Sequence, residues 1–280
     1  MAYLGIDLGG TNVRGAVVKD NVLAEVKSIP VSSTGTEIEV LNEIFRLTDQ
    51  LMNKDVKGIG IGVPSVVDVE NGIIYDVQNI PSWREVALKK YMEERYHVPV
   101  LINNDANCFA LGEKHFGQGK DYHSFIGLTI GTGLGAGIII HNKLYAGPNC
   151  GAGEFGMVNY LDKYFEDYAS GQFFKNIYHT DGSRIFQKAL TGEGEALRIF
   201  EEFGVHLGNA IKMILYTYDP EIIILGGSIK DAYPFFNESM WEEMRNFGYP
   251  KSIEKFRIEV SELENSGIFG ASGLCIDQME

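Results

Sequence analysis

Three times in this chain an apolar, strand-like run ends in a glycine turn. The first lies within residues 3–18, where two β-rich runs flank Gly9-Gly10. The second joins Phe125–Ile130 to Leu134–Ile140 through Gly131-Thr132-Gly133. The third, Gly226-Gly227, follows Glu221-Ile-Ile-Ile-Leu225. Glycine lacks a Cβ, so a phosphate can approach such a turn and accept hydrogen bonds from main-chain N–H groups, and in the first turn from the Thr11 hydroxyl as well. Three such turns, each at the end of an apolar strand, point to one nucleotide held between two related halves. Asp7 closes the first strand at the same end. A carboxylate beside a phosphate cradle is accounted for by a cation between them, and Mg²⁺ fits that role through its waters. Taken alone, the first turn is equally a hairpin with an acidic residue at its mouth.

Between the turns, strand and helix patterns alternate, which defines an α/β fold with mixed sheets. Apolar Ile38, Leu41, Ile44, Leu47 and Leu51 recur at helical spacing within Glu37–Asn53. Further helices are expected over 83–96, 105–116, 163–178, 183–190, 193–218 and 234–247, and from Gly267 onward. Strands are expected over 56–63, 98–102, 222–225 and 256–263, with a hairpin turn at Asn71-Gly72. A length of 280 residues suits one large domain or two medium ones. The net charge of −14 argues against a nucleic-acid surface, which needs clustered Lys and Arg. It does not argue against ATP, whose phosphates Mg²⁺ and backbone dipoles can neutralise locally. Cys108, Cys150 and Cys275 form neither a C-x-x-C pair nor a disulfide framework, so a reducing cytoplasm is expected. No leader pattern and no apolar run of membrane length is visible, so neither secretion nor a membrane partner is expected.

Other nucleotide folds fit poorly. No stretch matches G-x-x-x-x-G-K-[ST]. Gly131-Thr-Gly133-Leu-Gly-Ala136 matches the dinucleotide fingerprint, but that motif opens a helix, and the Gly137-Ile-Ile-Ile140 that follows favours a strand. Phosphoryl transfer to a hydroxyl needs positioning, charge neutralisation and an acceptor for the hydroxyl proton. Asp105, following the apolar run Val98–Ile102, lies where α/β ligands collect. Its position also fits an Asp favoured at a helix start by capping and the helix dipole.

The motifs together resemble the ROK family of sugar kinases, within the actin, hexokinase and heat-shock chaperone superfamily. They are Asp7-Leu-Gly-Gly-Thr11, Asn104-Asp-Ala-Asn107, Thr129-Ile-Gly-Thr-Gly133, Gly153-Glu-Phe-Gly156, Glu166 before Tyr168-Ala-Ser-Gly171, Leu225-Gly-Gly227 and Gly267-Ile-Phe-Gly-Ala271. The resemblance implies two ribonuclease-H-like (actin/hexokinase-type) α/β domains with mixed sheets around a central cleft. The smaller would comprise residues 1–112 plus 266–280, the larger 113–265. It implies ATP contacts from Gly9, Gly10, Thr11, Asn12, Gly131, Thr132, Gly133, Gly226 and Gly227, with Asp7 holding Mg²⁺ through water. It makes Asp105 the catalytic base and Asn104, Asp105, Glu154, Glu166 and Asn79 sugar contacts. Ser65 borders the same pocket by resemblance and is otherwise an ordinary strand-end Ser; Glu166 would otherwise be a solvated helix residue. Gln at Glu154 or Glu166 is expected to raise the sugar KM far more than the ATP KM.

The chain departs from the family at one point. Many members follow Gly-Glu-x-Gly with a His and a cysteine-rich loop that binds structural zinc. Here Met157 replaces the His, and Val158–Phe165 holds no Cys. No structural zinc is expected. His115, His123, His179 and His206 lack metal-ligand spacing and read as surface or capping residues. The implied reaction is ATP-dependent phosphorylation of a hexose 6-hydroxyl, glucose first, with N-acetylmannosamine, mannose, fructose or a β-glucoside as alternatives. A sugar-responsive repressor would need a DNA-binding segment before Asp7; only six residues precede it, so this reading is not the one expected. A sugar sensor without turnover is the other alternative. Assembly as a homodimer is left open.

Overall fold

The computed structural model describes residues 1–77, 79–148 and 150–279. Strand β1 (Ala2–Leu8) and its antiparallel partner β2 (Asn12–Lys19) form the expected hairpin, with Asp7 opposite Arg14. β3 (Val22–Leu23) and β4 (Lys27–Pro30) extend β2. Helix α1 (Glu37–Leu51) follows, then β5 (Val56–Val63), which runs parallel to β1 on its other side. A small antiparallel sheet of β6 (Val66–Asp68), β7 (Ile73–Tyr75) and β8 (Glu85–Val86) comes next. Then α2 (Leu88–Tyr96) leads to β9 (Val100–Asn104) and α3 (Asp105–His115). The main sheet has the order β3-β2-β1-β5-β9, with β4 also on β2.

The local sequence accounts for α1. Thr36 Oγ1 accepts from Glu39 N–H, and the Glu39 carboxylate accepts from Thr36 N–H, satisfying two otherwise orphaned donors. Val40, Leu41, Ile44, Leu47 and Leu51 face the core, whereas Ile38, which shares their spacing in the sequence, is 68% exposed. Thr36→Ala is expected to cost about 1 kcal/mol, read as a lowered melting temperature with unchanged ligand affinities.

The second half begins with β10 (Phe125–Ile130), β11 (Leu134–Ile140) and β12 (Lys143–Leu144). The short hairpin β13 (Asn159–Tyr160) and β14 (Lys163–Tyr164) leads into α4 (Phe165–Ala169) and α5 (Gly171–Asn176). Then come α6 (Gly182–Leu190), α7 (Gly194–Tyr218), β15 (Ile222–Gly226), α8 (Tyr233–Met244), α9 (Pro250–Lys255), β16 (Arg257–Val260) and α10 (Ser266–Met279). The second sheet has the order β12-β11-β10-β15-β16, with β15 parallel to both its neighbours.

Two helical expectations are corrected. The helix drawn over 83–96 begins only at Leu88. Before it, Val77 N–H bonds Trp83 O and Trp83 N–H bonds Ile80 O, a tight loop that sinks the Trp83 ring fully into the core. The helix drawn over 163–178 is two short helices. Ser170 has an extended backbone and its hydroxyl accepts from Gln172 N–H, so it ends α4 and caps α5.

The chain divides into two compact units. One comprises Met1–Asp121, Gly137–Ala152 and Glu262–Glu280; the other Tyr122–Ala136 and Gly153–Ser261. The boundaries expected from the sequence lie at 112/113 and 265/266, with 137–152 in the larger part. Residues 137–152 go with the first unit because Gly137 lies directly on α3: a Cβ there would stand 2.5 Å from Ala106 O. Within this unit α10 packs on β1, β5 and α3 at backbone distance. A Cβ on Gly60 would fall 1.7 Å from Ala271 O, and one on Gly270 1.7 Å from Cys108 O. The second unit is built on α7, whose Phe200 and Phe203 are buried with Phe173, Phe174 and Phe236. Among the described residues, no helix is long and apolar enough to cross a membrane.

Candidate functional site

In the first unit, strand register gathers the acidic candidates. Asp7 of β1 lies beside Gly62 of β5, and Gly62 beside Asn103 of β9, so Asn104 and Asp105 leave the sheet at the level of Asp7. Cys108 sits beneath them: burial pushes its thiol well up, and the charges of Asp105 and Asp7 push it further. Burial also raises the Asp7 carboxyl, against the pull of Arg14. A nearby cation would relieve that desolvated charge. The first turn of α10 closes over the same carboxylate, since a Cβ on Gly267 would stand 2.9 Å from Asp7 Cγ. Arg14 reaches the Asn265 side chain just before α10.

The β1–β2 turn is held by Gly9 N–H to Asn12 O, 2.9 Å, and by Val31 N–H to Thr11 O, 2.8 Å. Thr11 and Asn12 are exposed. Asn79 packs against this turn: a Cβ on Gly10 would lie 2.6 Å from Asn79 Cβ.

At the start of α3 the capping role falls to Asn104. Its Oδ1 accepts from Ala106 N–H at 2.8 Å and Asn107 N–H at 3.4 Å, and its Nδ2 donates to Ser65 O at 3.4 Å. Asp105, the first helical residue, is exposed and accepts from Ala106 N–H at 2.8 Å. The Ser65 hydroxyl is directed to Tyr75 O. Two further asparagines support this corner. Asn103 Oδ1 accepts from Asn104 N–H, Asn107 Nδ2 and the Cys150 thiol, and both Asn103 and Asn107 are buried. Asn107 belongs to a motif visible in the sequence, but nothing there marks Asn103 or Cys150 as its partners.

In the second unit, Glu154 is exposed at the entrance of a 3-10 turn, Phe155–Met157. Although the residue as a whole is exposed, partial desolvation of its carboxyl and then the charge of Glu166 raise its pKa above the ordinary range. Met157 is 53% exposed. Glu166 of α4 turns to the Gly131–Gly133 turn: its Oε2 accepts from Leu134 N–H at 3.0 Å. The third turn lies against the second, because Gly227, at φ 83°, would place a Cβ 2.3 Å from Ile130 O. Beside these two turns opens a cavity of about 840 Å³, lined among others by Gly131, Thr132, Ser228, Lys175, Phe186 and Phe200. The glycine signature located its turn-side wall; its aromatic and basic wall, drawn from α5, α6 and α7, has no local signal. Among the described residues, no group of three or more His, Cys, Asp or Glu is arranged to hold a metal ion.

His206 corrects the sequence reading. It is not a surface residue: its side chain is 13% exposed, and its Nδ1 lies 3.1 Å from Tyr160 Oη. Burial lowers its pKa against the opposing charge of Glu202.

This chain belongs to the ROK family, whose model matches residues 3–278. A glucokinase of Thermotoga maritima is 27% identical over 98% of this chain and 97% of its own length. A xylose repressor of Bacillus subtilis is 29% identical over 98% of this chain and 77% of the repressor. Among solved structures, a ROK family glucokinase from Streptomyces griseus, in complex with glucose and AMPPNP, aligns with a TM-score of 0.83 at 26% identity. That alignment covers 98% of this chain and 99% of the other.

Proposed function

We propose that this protein is a sugar kinase that transfers the γ-phosphoryl group of ATP to the 6-hydroxyl of a hexose, glucose being the first candidate. The observation that carries the reading is the division of labour at α3. Asn104 caps the helix, so the neighbouring Asp105 carboxylate stands at the helix start, level with Asp7, without being needed as the cap. In this reading Asp105 accepts the proton of the attacking hydroxyl and aims its oxygen. Asn104, Glu154 and Glu166 hold the sugar, with Asn79 and Ser65 as further contacts.

The Gly9–Asn12 turn, the Gly131–Gly133 turn and Gly226-Gly227 bind the triphosphate through backbone N–H groups. The adjoining cavity has room for a base and ribose, and its half-buried Phe186 offers apolar surface to them. Asp7 suits Mg²⁺ held through water, since it is a single desolvated carboxylate at a phosphate turn. The metal would neutralise phosphate charge. The kinship with glucokinases supports the assignment. The test is ADP release over a panel of about ten sugars, including mannose, N-acetylmannosamine, fructose and a β-glucoside; no release with any of them overturns it.

The kinship with xylose repressors favours a second reading, a sugar-responsive regulator. It requires sugar binding without turnover, so the same panel run beside calorimetry separates the two.

Glu154 gives this reading a quantitative consequence. An ionised carboxylate makes the stronger bond to a hydroxyl, roughly 1.5–3 kcal/mol. Glu154→Gln is therefore expected to raise the sugar KM roughly ten- to a hundredfold and leave the ATP KM nearly unchanged. Because the Glu154 carboxyl titrates above the ordinary range, sugar affinity should increase as pH rises through that raised pKa. The same pH series on Glu154→Gln should be flat.

A further inference from the structure

The Glu166–Gly171 segment touches every residue of the second glycine turn. Glu166 Oε2 accepts from Leu134 N–H and fills the space a side chain at 133 would take: a Cβ there would stand 2.5 Å from it. Ser170, fully buried, places its hydroxyl 3.2 Å from Thr132 O and 2.7 Å from Glu166 O. Gly171 N–H donates to Gly131 O at 2.7 Å. These bonds have a directional consequence. In a trans peptide the C=O and N–H point opposite ways. Tethering the carbonyls of Gly131 and Thr132 to residues 170–171 therefore aims the N–H groups of Thr132 and Gly133 away from that segment. The segment is itself braced. Phe165 stacks on Tyr160 with ring centres 4.4 Å apart, and Tyr168 lies 5.0 Å from the His206 ring.

We infer that Glu166 and Ser170 form a strut that couples the sugar to the nucleotide. Glu166 is shared between a sugar hydroxyl and the Leu134 N–H, and Ser170 is a positioning residue that sets the direction of the phosphate-binding N–H groups. The inference rests on the sugar-kinase reading. It departs from the expectation that Glu166 serves the sugar alone. A sugar that draws on the Glu166 carboxylate shifts the bond that orients the turn, and by linkage the nucleotide must alter sugar affinity by the same factor.

The test is calorimetry on the intact protein with AMPPNP and the best sugar of the panel, each titrated alone and in the presence of the other. In the parent, each ligand is expected to change the affinity of the other about fivefold or more. Glu166→Gln should weaken both ligands measured alone and bring the coupling factor close to one. Ser170→Ala should weaken AMPPNP but not sugar, and also abolish coupling, while Ser170→Thr, which keeps the hydroxyl, restores it. Glu154→Gln should weaken sugar and keep the coupling factor, an outcome that a general loosening of the site would not give. Melting curves identify any variant that fails to fold, and the Ser170 pair decides the question if Glu166→Gln does. Unchanged coupling in Ser170→Ala, or a parent factor of one, overturns the strut and leaves the kinase reading standing. A parent that binds neither AMPPNP nor any sugar overturns both.

Discussion

Asp105→Asn should lower kcat by about 10²–10⁴-fold, the usual worth of a positioned general base, with little change in sugar affinity or melting temperature. Asn keeps the size of the side chain and part of its hydrogen bonding but cannot accept the proton. Sugar affinity should hold because the proposed sugar contacts Asn104, Glu154 and Glu166 are untouched. Stability should hold because the cap of α3 is made by Asn104, whose Oδ1 takes the first N–H groups of the helix. The alternative role for Asp105, complementing the helix dipole, is worth about 0.3–1 kcal/mol at an exposed site and leaves turnover alone. The measurement is kcat for the variant beside sugar calorimetry and a melting curve. A folded variant that binds sugar and turns over within about threefold of the parent, far less than the loss of a base costs, removes Asp105 from the mechanism.

Gly60→Ala should be among the most destabilising glycine-to-alanine changes at the described residues. The new Cβ would fall 1.7 Å from Ala271 O, and Ala271 is part of the α10 backbone, so no side chain can swing aside to relieve the clash. The helix must lift off β5, opening the interface it shares with β1 and α3. Overpacking a core ordinarily costs 1–3 kcal/mol and occasionally more; a backbone collision belongs at the top of that range, about 3 kcal/mol. Against a typical total of 5–15 kcal/mol, that is a large share. Gly270→Ala, which would place its methyl 1.7 Å from Cys108 O, should behave alike. Gly192→Ala isolates the backbone contribution, because nothing lies within 4 Å of a Cβ there and only its φ of 79° resists. Urea midpoints for the three variants test this ordering. A Gly60→Ala protein as stable as Gly192→Ala would show that α10 is not seated as described.

What could be read from the chain depended on how local the signal was. The turns at Gly9-Gly10, Gly131–Gly133 and Gly226-Gly227 were legible because each joins an apolar run to a residue with no side chain. Helix α1 was legible because its apolar residues recur at three- and four-residue spacing; its Thr36–Glu39 cap emerged only with the structure. The break at Ser170 was not, since Ser is unremarkable inside a helix and becomes a cap only when its hydroxyl turns back to Gln172. Trp83 was placed at the start of a helix, yet its ring is buried ahead of that helix. His206 looked like a lone surface histidine because its partner, Tyr160, lies far away in sequence. The bond from Leu134 N–H to Glu166 likewise joins positions 32 residues apart, with no pattern to announce it.

The seating of α10 also bears on how the protein is made. β1 leaves the ribosome well before α10, yet the two are packed against each other in the finished unit. At about 5–20 residues per second, the apolar sheet face waits on the order of tens of seconds for its cover. Meanwhile residues 153–261, whose partners within their unit are already synthesised, can collapse on their own schedule. The first unit thus begins before the second and is completed after it. In a crowded cell that uncovered face is open to a chaperone's protection for the whole interval.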